Sequence, residues 1–185
     1  MNATAPEAPS AGPRAVLPPA STLIEITSPE SAADWDAARS LIEDLFGFIE
    51  RESGLPPAQV YDGLDEELRA LPQHYSYPKG AFFVAKVDGN VVGTTGVKLL
   101  APGMAEIKRV YVRPETRGLR LGSALLDAAI NVSRILGAER IRLESHSGFM
   151  RTAVAMYGSR GFVEIPHYTG LGDRVPGAVA MELRL

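Results

Sequence analysis

The chain contains no cysteine. That excludes a disulfide, a thiolate nucleophile and any cysteine-ligated metal. Histidine is scarce: His74, His146 and His167 stand far apart in sequence and form no close-spaced ligand pair, so no metal site is expected. No apolar run approaches the roughly 20 residues of a membrane-spanning helix. The first residues lack a basic segment followed by an apolar one, so no secretory leader is expected and a cytoplasmic location is. Excess positive charge is missing too. With 19 Lys and Arg against 22 Asp and Glu the net charge is −3, which argues against a general nucleic-acid binder while leaving room for a local basic patch. Neither G-x-x-x-x-G-K-[ST] nor G-x-G-x-x-G occurs, and Ser145 and Ser147 lack a G-x-S-x-G elbow.

What is present reads as one folded unit behind a tail. Residues 1 to about 20 are rich in Ala and Pro and cannot bury enough apolar area to offset ordering, so a disordered tail is expected, with one domain over 21–185. Leu23–Ile26 reads as a strand, and Ser28-Pro29 as a helix start. Trp35, Ala38, Ile42, Leu45 and Ile49 share a helical face that Gly54 ends. A second, acidic helix is expected over Asp62–Leu71. Strands at Ala81–Val87 and Val91–Val97 flank Asp88-Gly89-Asn90, a hairpin signal. Glu106–Val112 is the next strand. In the long helix after it, Leu121, Leu125, Ala128, Ala129, Val132 and Leu136 line one face up to Gly137. Arg140–Glu144 (strand), Phe149–Arg160 (helix) and a strand from Phe162 come next. In the last strand, Ala178–Leu185, the pattern turns Val179, Met181, Leu183 and Leu185 inward and Ala180, Glu182 and Arg184 outward. This order requires a mixed, mostly antiparallel sheet with helices, an α/β (α+β) fold whose one parallel pair joins the strands at Glu106 and Arg140.

The stretch Glu106–Glu144 joins strand, turn, helix and strand within the span of a βαβ unit. Its turn, Arg117-Gly118-Leu119-Arg120-Leu121-Gly122, opens directly into the helix, where unpaired N–H groups favour an anion, most naturally a phosphate. A solvated loop is the plain alternative for the turn taken alone. Together with Val112-Arg113-Pro114 before it, the turn resembles the [QR]-x-x-G-x-[GA] signature of the GNAT superfamily of acetyl-CoA-dependent N-acetyltransferases. The fourth position departs, with Arg120 where the family usually has Gly. Downstream, Ala153-Val154-Ala155-Met156-Tyr157-Gly158-Ser159-Arg160-Gly161-Phe162 resembles the family's A-x-x-x-Y-x-x-x-G-F helix end. The family often has Asn where this chain has Met150. The likeness runs from about Thr22 to Leu185.

The resemblance implies the GNAT fold, with its parallel strand pair splayed apart, and acetyl-CoA as co-substrate. It implies that main-chain groups from Arg117 through Gly118, Leu119, Arg120, Leu121, Gly122 and Ser123 cradle the diphosphate. The cradle would survive Arg120 unless that position needs a positive φ. It implies that Val110, Tyr111 and Val112 meet the pantetheine arm through their backbone; their side chains fit ordinary sheet pairing equally well. Glu106 is implied as general base for an acceptor ammonium, against a strand-end glutamate facing solvent or pairing with Lys108. Tyr157 is implied as general acid for the leaving sulfur, against a core tyrosine on the face of Met150 and Val154. His146 reads as a polar residue at a strand end. Asp62, Asp65, Glu66 and Glu67 read as a solvated charged face, or as the border of an acceptor pocket. His74, Tyr75, Tyr77, His167 and Tyr168 lie in loops that could line that pocket. The expected function is acetyl transfer to a primary amine of a small molecule or peptide by direct attack, without metal. A non-catalytic acyl-CoA-binding regulatory module is the alternative from another class, and a longer acyl donor remains open. A homodimer is an expectation carried by the family; nucleic-acid and membrane partners are not expected.

Overall fold

A computed structural model describes residues 22–116 and 118–185. The tail expected over residues 1–20 and Arg117 lie outside the described residues. The elements are β1 (Ile24–Thr27), α1 (Ala32–Ser53), α2 (Pro57–Val60), α3 (Leu64–Arg69), α4 (Leu71–His74), β2 (Gly80–Val87), β3 (Asn90–Ala101), β4 (Met104–Val112), α5 (Leu121–Ile135), β5 (Arg140–His146), α6 (Arg151–Ser159), β6 (Val163–Ile165), α7 (Leu171–Arg174) and β7 (Ala178–Arg184). The acidic segment is divided between α3 and α4, and α2 and α7 are short helices that periodicity does not reveal.

The seven strands form one sheet in the order β1-β2-β3-β4-β5-β7-β6. All neighbours are antiparallel except β4 and β5. The β2–β3 turn uses Asp88 and Gly89 at φ 49° and 81°, both left-handed, as a tight twisted hairpin requires. Helix α1 starts at Ser31, not at Ser28-Pro29. There the Ser31 hydroxyl accepts from the Asp34 N–H at 3.1 Å, and Asp34 accepts from the Ser31 and Glu30 N–H groups. This reciprocal cap satisfies donors that Ser28 is too early to reach. The helix ends at Gly54, φ 71°, as expected.

Helices cover both faces. Leu126, Ala129 and Ile130 of α5 pack with Tyr157 and Phe162 against Val97, Ile107, Ile141 and Leu143. On the other face Ala38, Ile42 and Phe46 of α1 join Leu64, Leu68, Leu71 and Tyr75 over Phe82 and Val84. The buried stripe of α5 takes in Leu126 and Ile130 and leaves Ala128, Val132 and Leu136 only half-buried, so it is rotated by part of a turn from the expected face. Ala180 and Glu182, expected outward, are buried. Strand β7 lies between β5 and β6 with both faces covered, and Glu182 meets Arg142 at 2.8 Å.

Two irregularities position the site. Strands β4 and β5 pair only over Met104–Glu106 with Arg140–Arg142. Beyond that, β4 continues to Val112 against β3 alone, while β5 runs beside β7. The expected splay is therefore present. In β4 the register against β3 slips between Thr94 and Gly96, so Arg109 and Val110 together oppose Thr95. This is a β-bulge, and Arg109 sits in it at φ 60°.

Candidate active site

The gap between the splayed strands is part of a cleft of about 1010 Å³. The β4 segment Glu106–Val112 lines it, with Gly118 and Arg120–Ser123 at one end and Leu143–His146 of β5 across the gap. Met156 and Tyr157 of α6 close one side; Phe48, Ile49, Tyr61 and Thr169 come from the opposite face of the sheet. Of the residues expected to meet the cofactor, Val110, Tyr111, Val112, Gly118, Arg120, Leu121, Gly122 and Ser123 all line this cleft. Leu119 does not; it is exposed beside the turn.

The turn takes its shape from two left-handed residues, Gly118 at φ 91° and Arg120 at φ 57°. The position where the family prefers Gly does need a positive φ, the condition under which the cradle is not expected to survive; Arg120 nevertheless adopts that conformation, at a cost of about 1 kcal/mol. No side chain caps the start of α5, so its first N–H groups remain available at the cleft. Leu121 anchors the helix start, packed with Leu125 among Ala85 and Val92. This cradle and the open β4 edge fit a long phosphorylated ligand: N–H donors at one end, a strand-shaped gap beyond.

Tyr157 is 5% exposed, its ring 6.0 Å from that of Phe162. Among the described residues nothing hydrogen-bonds its hydroxyl, and the residue lines the cleft. Burial pushes its pKa above the ordinary phenol value, so it stays protonated. Glu106 is also buried, not facing solvent. Its carboxylate accepts from the Tyr168 hydroxyl at 2.9 Å and pairs with Lys108 Nζ at 3.3 Å. The Lys108 ammonium lies 4.5 Å over the Tyr61 ring. Across the gap, Glu144 accepts from the Thr169 hydroxyl at 2.8 Å and stands 3.9 Å from His167. Burial raises its pKa, with help from the Glu106 charge.

His146 is committed structurally: Nδ1 accepts from the Gly148 and Phe149 N–H groups, leaving Nε2 to donate to the Pro176 carbonyl at 2.8 Å. Its ring stacks on Phe149 at 3.7 Å. Glu67, expected on a solvated face, is fully buried. Its two oxygens accept from Arg109 Nε and a terminal guanidinium nitrogen, each at 2.7 Å, and the first also from the Tyr75 hydroxyl at 2.7 Å. Asp62, Asp65 and Glu66 do remain exposed. Sequence reasoning names Lys108 only as a pairing partner for Glu106, and passes over Glu144 and Arg109. For Lys108 and Glu144 a signal exists: strand alternation puts Glu106 with Lys108, and Arg142 with Glu144, on one sheet face. Arg109 offers none.

Residues 36–162 match the model of the acetyltransferase (GNAT) family. An uncharacterized N-acetyltransferase of Schizosaccharomyces pombe is 31% identical over 165 residues, covering 88% of this chain and 95% of that protein. YjgM of Escherichia coli, also an uncharacterized N-acetyltransferase, is 32% identical over 72% of this chain and 81% of its own length. Among solved structures, the PaiA N-acetyltransferase of Thermoplasma acidophilum, in complex with coenzyme A, superposes with a TM-score of 0.64 at 20% identity, covering 88% of this chain and 99% of that one. The chain belongs to the GNAT family of acetyltransferases, enzymes whose acyl donor is acetyl-CoA.

Proposed function

We propose that the protein transfers the acetyl group of acetyl-CoA directly to a primary amine, using Glu106 as base and Tyr157 as acid. One observation carries the reading: a single cleft joins an uncapped helix start, an open strand edge, a buried carboxylate and an unpartnered buried phenol. Main-chain N–H groups over Gly118–Ser123 bind the diphosphate, and the β4 edge at Val110–Val112 aligns the arm that carries the thioester. Acetyl-CoA supplies the activated acetyl group.

The acceptor enters as an ammonium, with pKa near 10, and is unreactive until it loses a proton. Glu106 takes that proton, directly or through a water. Tyr168 and Lys108 hold its carboxylate in place. The nitrogen then bonds to the acetyl carbon as the carbon–sulfur bond breaks; Tyr157 gives its proton to the departing sulfur, and the second proton, shed by the new amide nitrogen, passes through water to restore the phenol. A chain without cysteine fits this direct route, which uses no thiol acyl carrier. The sheet face opposite α5 and α6 supplies the acceptor pocket, where Tyr61, Glu144 and Thr169 surround the base. Coenzyme A release measured over a panel of small amines, amino acids and peptide N-termini tests the reading, preceded by calorimetric titration with acetyl-CoA. Saturable binding with turnover on at least one amine is expected. Binding with no turnover on any acceptor would contradict it.

A further inference from the structure

Acyl transfer as proposed above makes no use of the most deeply buried ion pair, whose arginine lines the cleft. Glu67 is 0% exposed and the Arg109 side chain 8%, joined by a two-pronged hydrogen bond across 42 residues of sequence. We propose that Glu67, Arg109 and Tyr75 are positioning residues for acetyl transfer: they lock the β4 bulge, and the bulge aims the main chain of Val110–Val112 into the cleft. The inference rests on the reading of the cleft as an acyl-transfer site.

Three observations converge on the bulge. Arg109 is the residue at which β4 gains its extra member, and its backbone is left-handed without being glycine. Such a conformation persists only where the surroundings over-determine it. Here they do so from both ends: the Thr94 hydroxyl donates to the Arg109 carbonyl at 2.8 Å, and Glu67 clamps the guanidinium. That guanidinium also lies 4.9 Å over the Phe46 ring and 4.4 Å over the Tyr61 ring. Tyr75 sets the clamp itself. Its ring packs where a Cβ at Gly96 would overlap it, and its hydroxyl donates to Glu67.

Stability alone does not account for this arrangement. Burying two charges costs several kcal/mol per ion, and apolar side chains of equal volume often do as well or better. A bulge beside an active site redirects the strand downstream of it. Downstream of Arg109 lies the strand edge whose N–H groups face the thioester in the proposed reaction. A preorganised donor there acts only if it is aimed at the developing negative charge.

The test uses the full chain, first unaltered and then in two variants. Glu67→Gln with Arg109→Met removes both charges, and the introduced amide can still accept from Tyr75. Arg109→Lys keeps the charge, and so the fold, but lacks the planar fork. The readouts are Tm, acetyl-CoA Kd, kcat, and the infrared carbonyl stretch of bound acetyl-CoA labelled with carbon-13 at the acetyl carbon. In the unaltered protein the stretch should lie below its free-solution frequency. In both variants Kd should hold, kcat should fall about 100-fold, the loss typical of one such donor, and the stretch should return toward the free value. In the double variant this should occur without a lower Tm. A stretch that stays shifted in both variants, with kcat unchanged, overturns the proposal alone. A loss confined to the acceptor KM overturns it in favour of Arg109 contacting the acceptor. An unshifted carbonyl in the unaltered protein overturns it together with the reading it rests on.

Discussion

The two walls of the cleft are made of different material. Along the turn Gly118–Ser123 and the open edge of β4, the groups proposed to act are main-chain N–H groups, set by left-handed residues, a helix start and a missing strand partner. Around Glu106 they are side chains from four separate segments: Lys108, Tyr61, Glu144, and Tyr168 with Thr169. A main-chain device needs only local φ/ψ and a few permissive residues, so it tolerates Arg120 in place of the family's Gly. A side-chain device depends on each atom, so it should tolerate almost nothing. The comparison therefore predicts severe losses from conservative changes on one wall and mild ones on the other.

Glu106→Gln should be the harshest. The substitution keeps shape but cannot accept a proton, so kcat near neutral pH should fall about 100- to 1000-fold, within the span for general bases. Turnover of the variant should climb with pH as the amine deprotonates itself, and a pH–rate series checks this. A small or pH-independent loss would move the base elsewhere. Tyr157→Phe should cost kcat about 100-fold with acetyl-CoA affinity kept, because only the proton delivered to sulfur is lost. Its raised pKa keeps the phenol protonated, so no fall in rate from its ionisation is expected below its ordinary value of 10. Stopped-assay kcat beside calorimetric Kd separates the two quantities.

The acid limb of stability should report the Glu67 clamp. Burial alone would raise that carboxyl, but the Arg109 hydrogen bonds and charge, with the Tyr75 hydroxyl, bring it from 4.5 to about 2. A depressed folded pKa gives stability that is complete above the ordinary value and drains as pH falls through the folded one. The unaltered protein should therefore lose urea resistance between about pH 4.5 and about 2 more steeply than the Glu67→Gln, Arg109→Met variant. Parallel slopes would mean that the clamp carries no such linkage. Arg120→Gly should be the mildest change. It relieves a left-handed side chain and should raise stability by up to about 1 kcal/mol in urea unfolding, with acetyl-CoA affinity largely retained. No gain would mean that the turn does not strain Arg120.

The same contrast governs how much of the molecule is legible in its sequence. Gly54, Asp88-Gly89 and the turn into α5 are local signals, and each lies where its chemistry puts it. The strand order requires a parallel pair, the family likeness implies that it splays, and the pairing stops at Glu106 and Arg142. Glu67 reads wrongly because Asp65 and Glu66 beside it are solvated, whereas its own partner lies 42 residues downstream in a bulge no pattern announces. Glu182 reads wrongly because outward on β7 means toward Arg142, not toward water. Tyr168 is one of several loop aromatics until the chain folds it onto Glu106. Devices closed by long-range side-chain contacts leave no local trace.

The central claim is that main chain holds the donor while side chains move the protons. A crystal structure with coenzyme A tests it most directly. The account predicts diphosphate oxygens about 3 Å from N–H groups of Gly118–Ser123, with the pantetheine arm between Val110–Val112 and β5. Diphosphate held by side chains elsewhere, with that gap filled by protein, would contradict it.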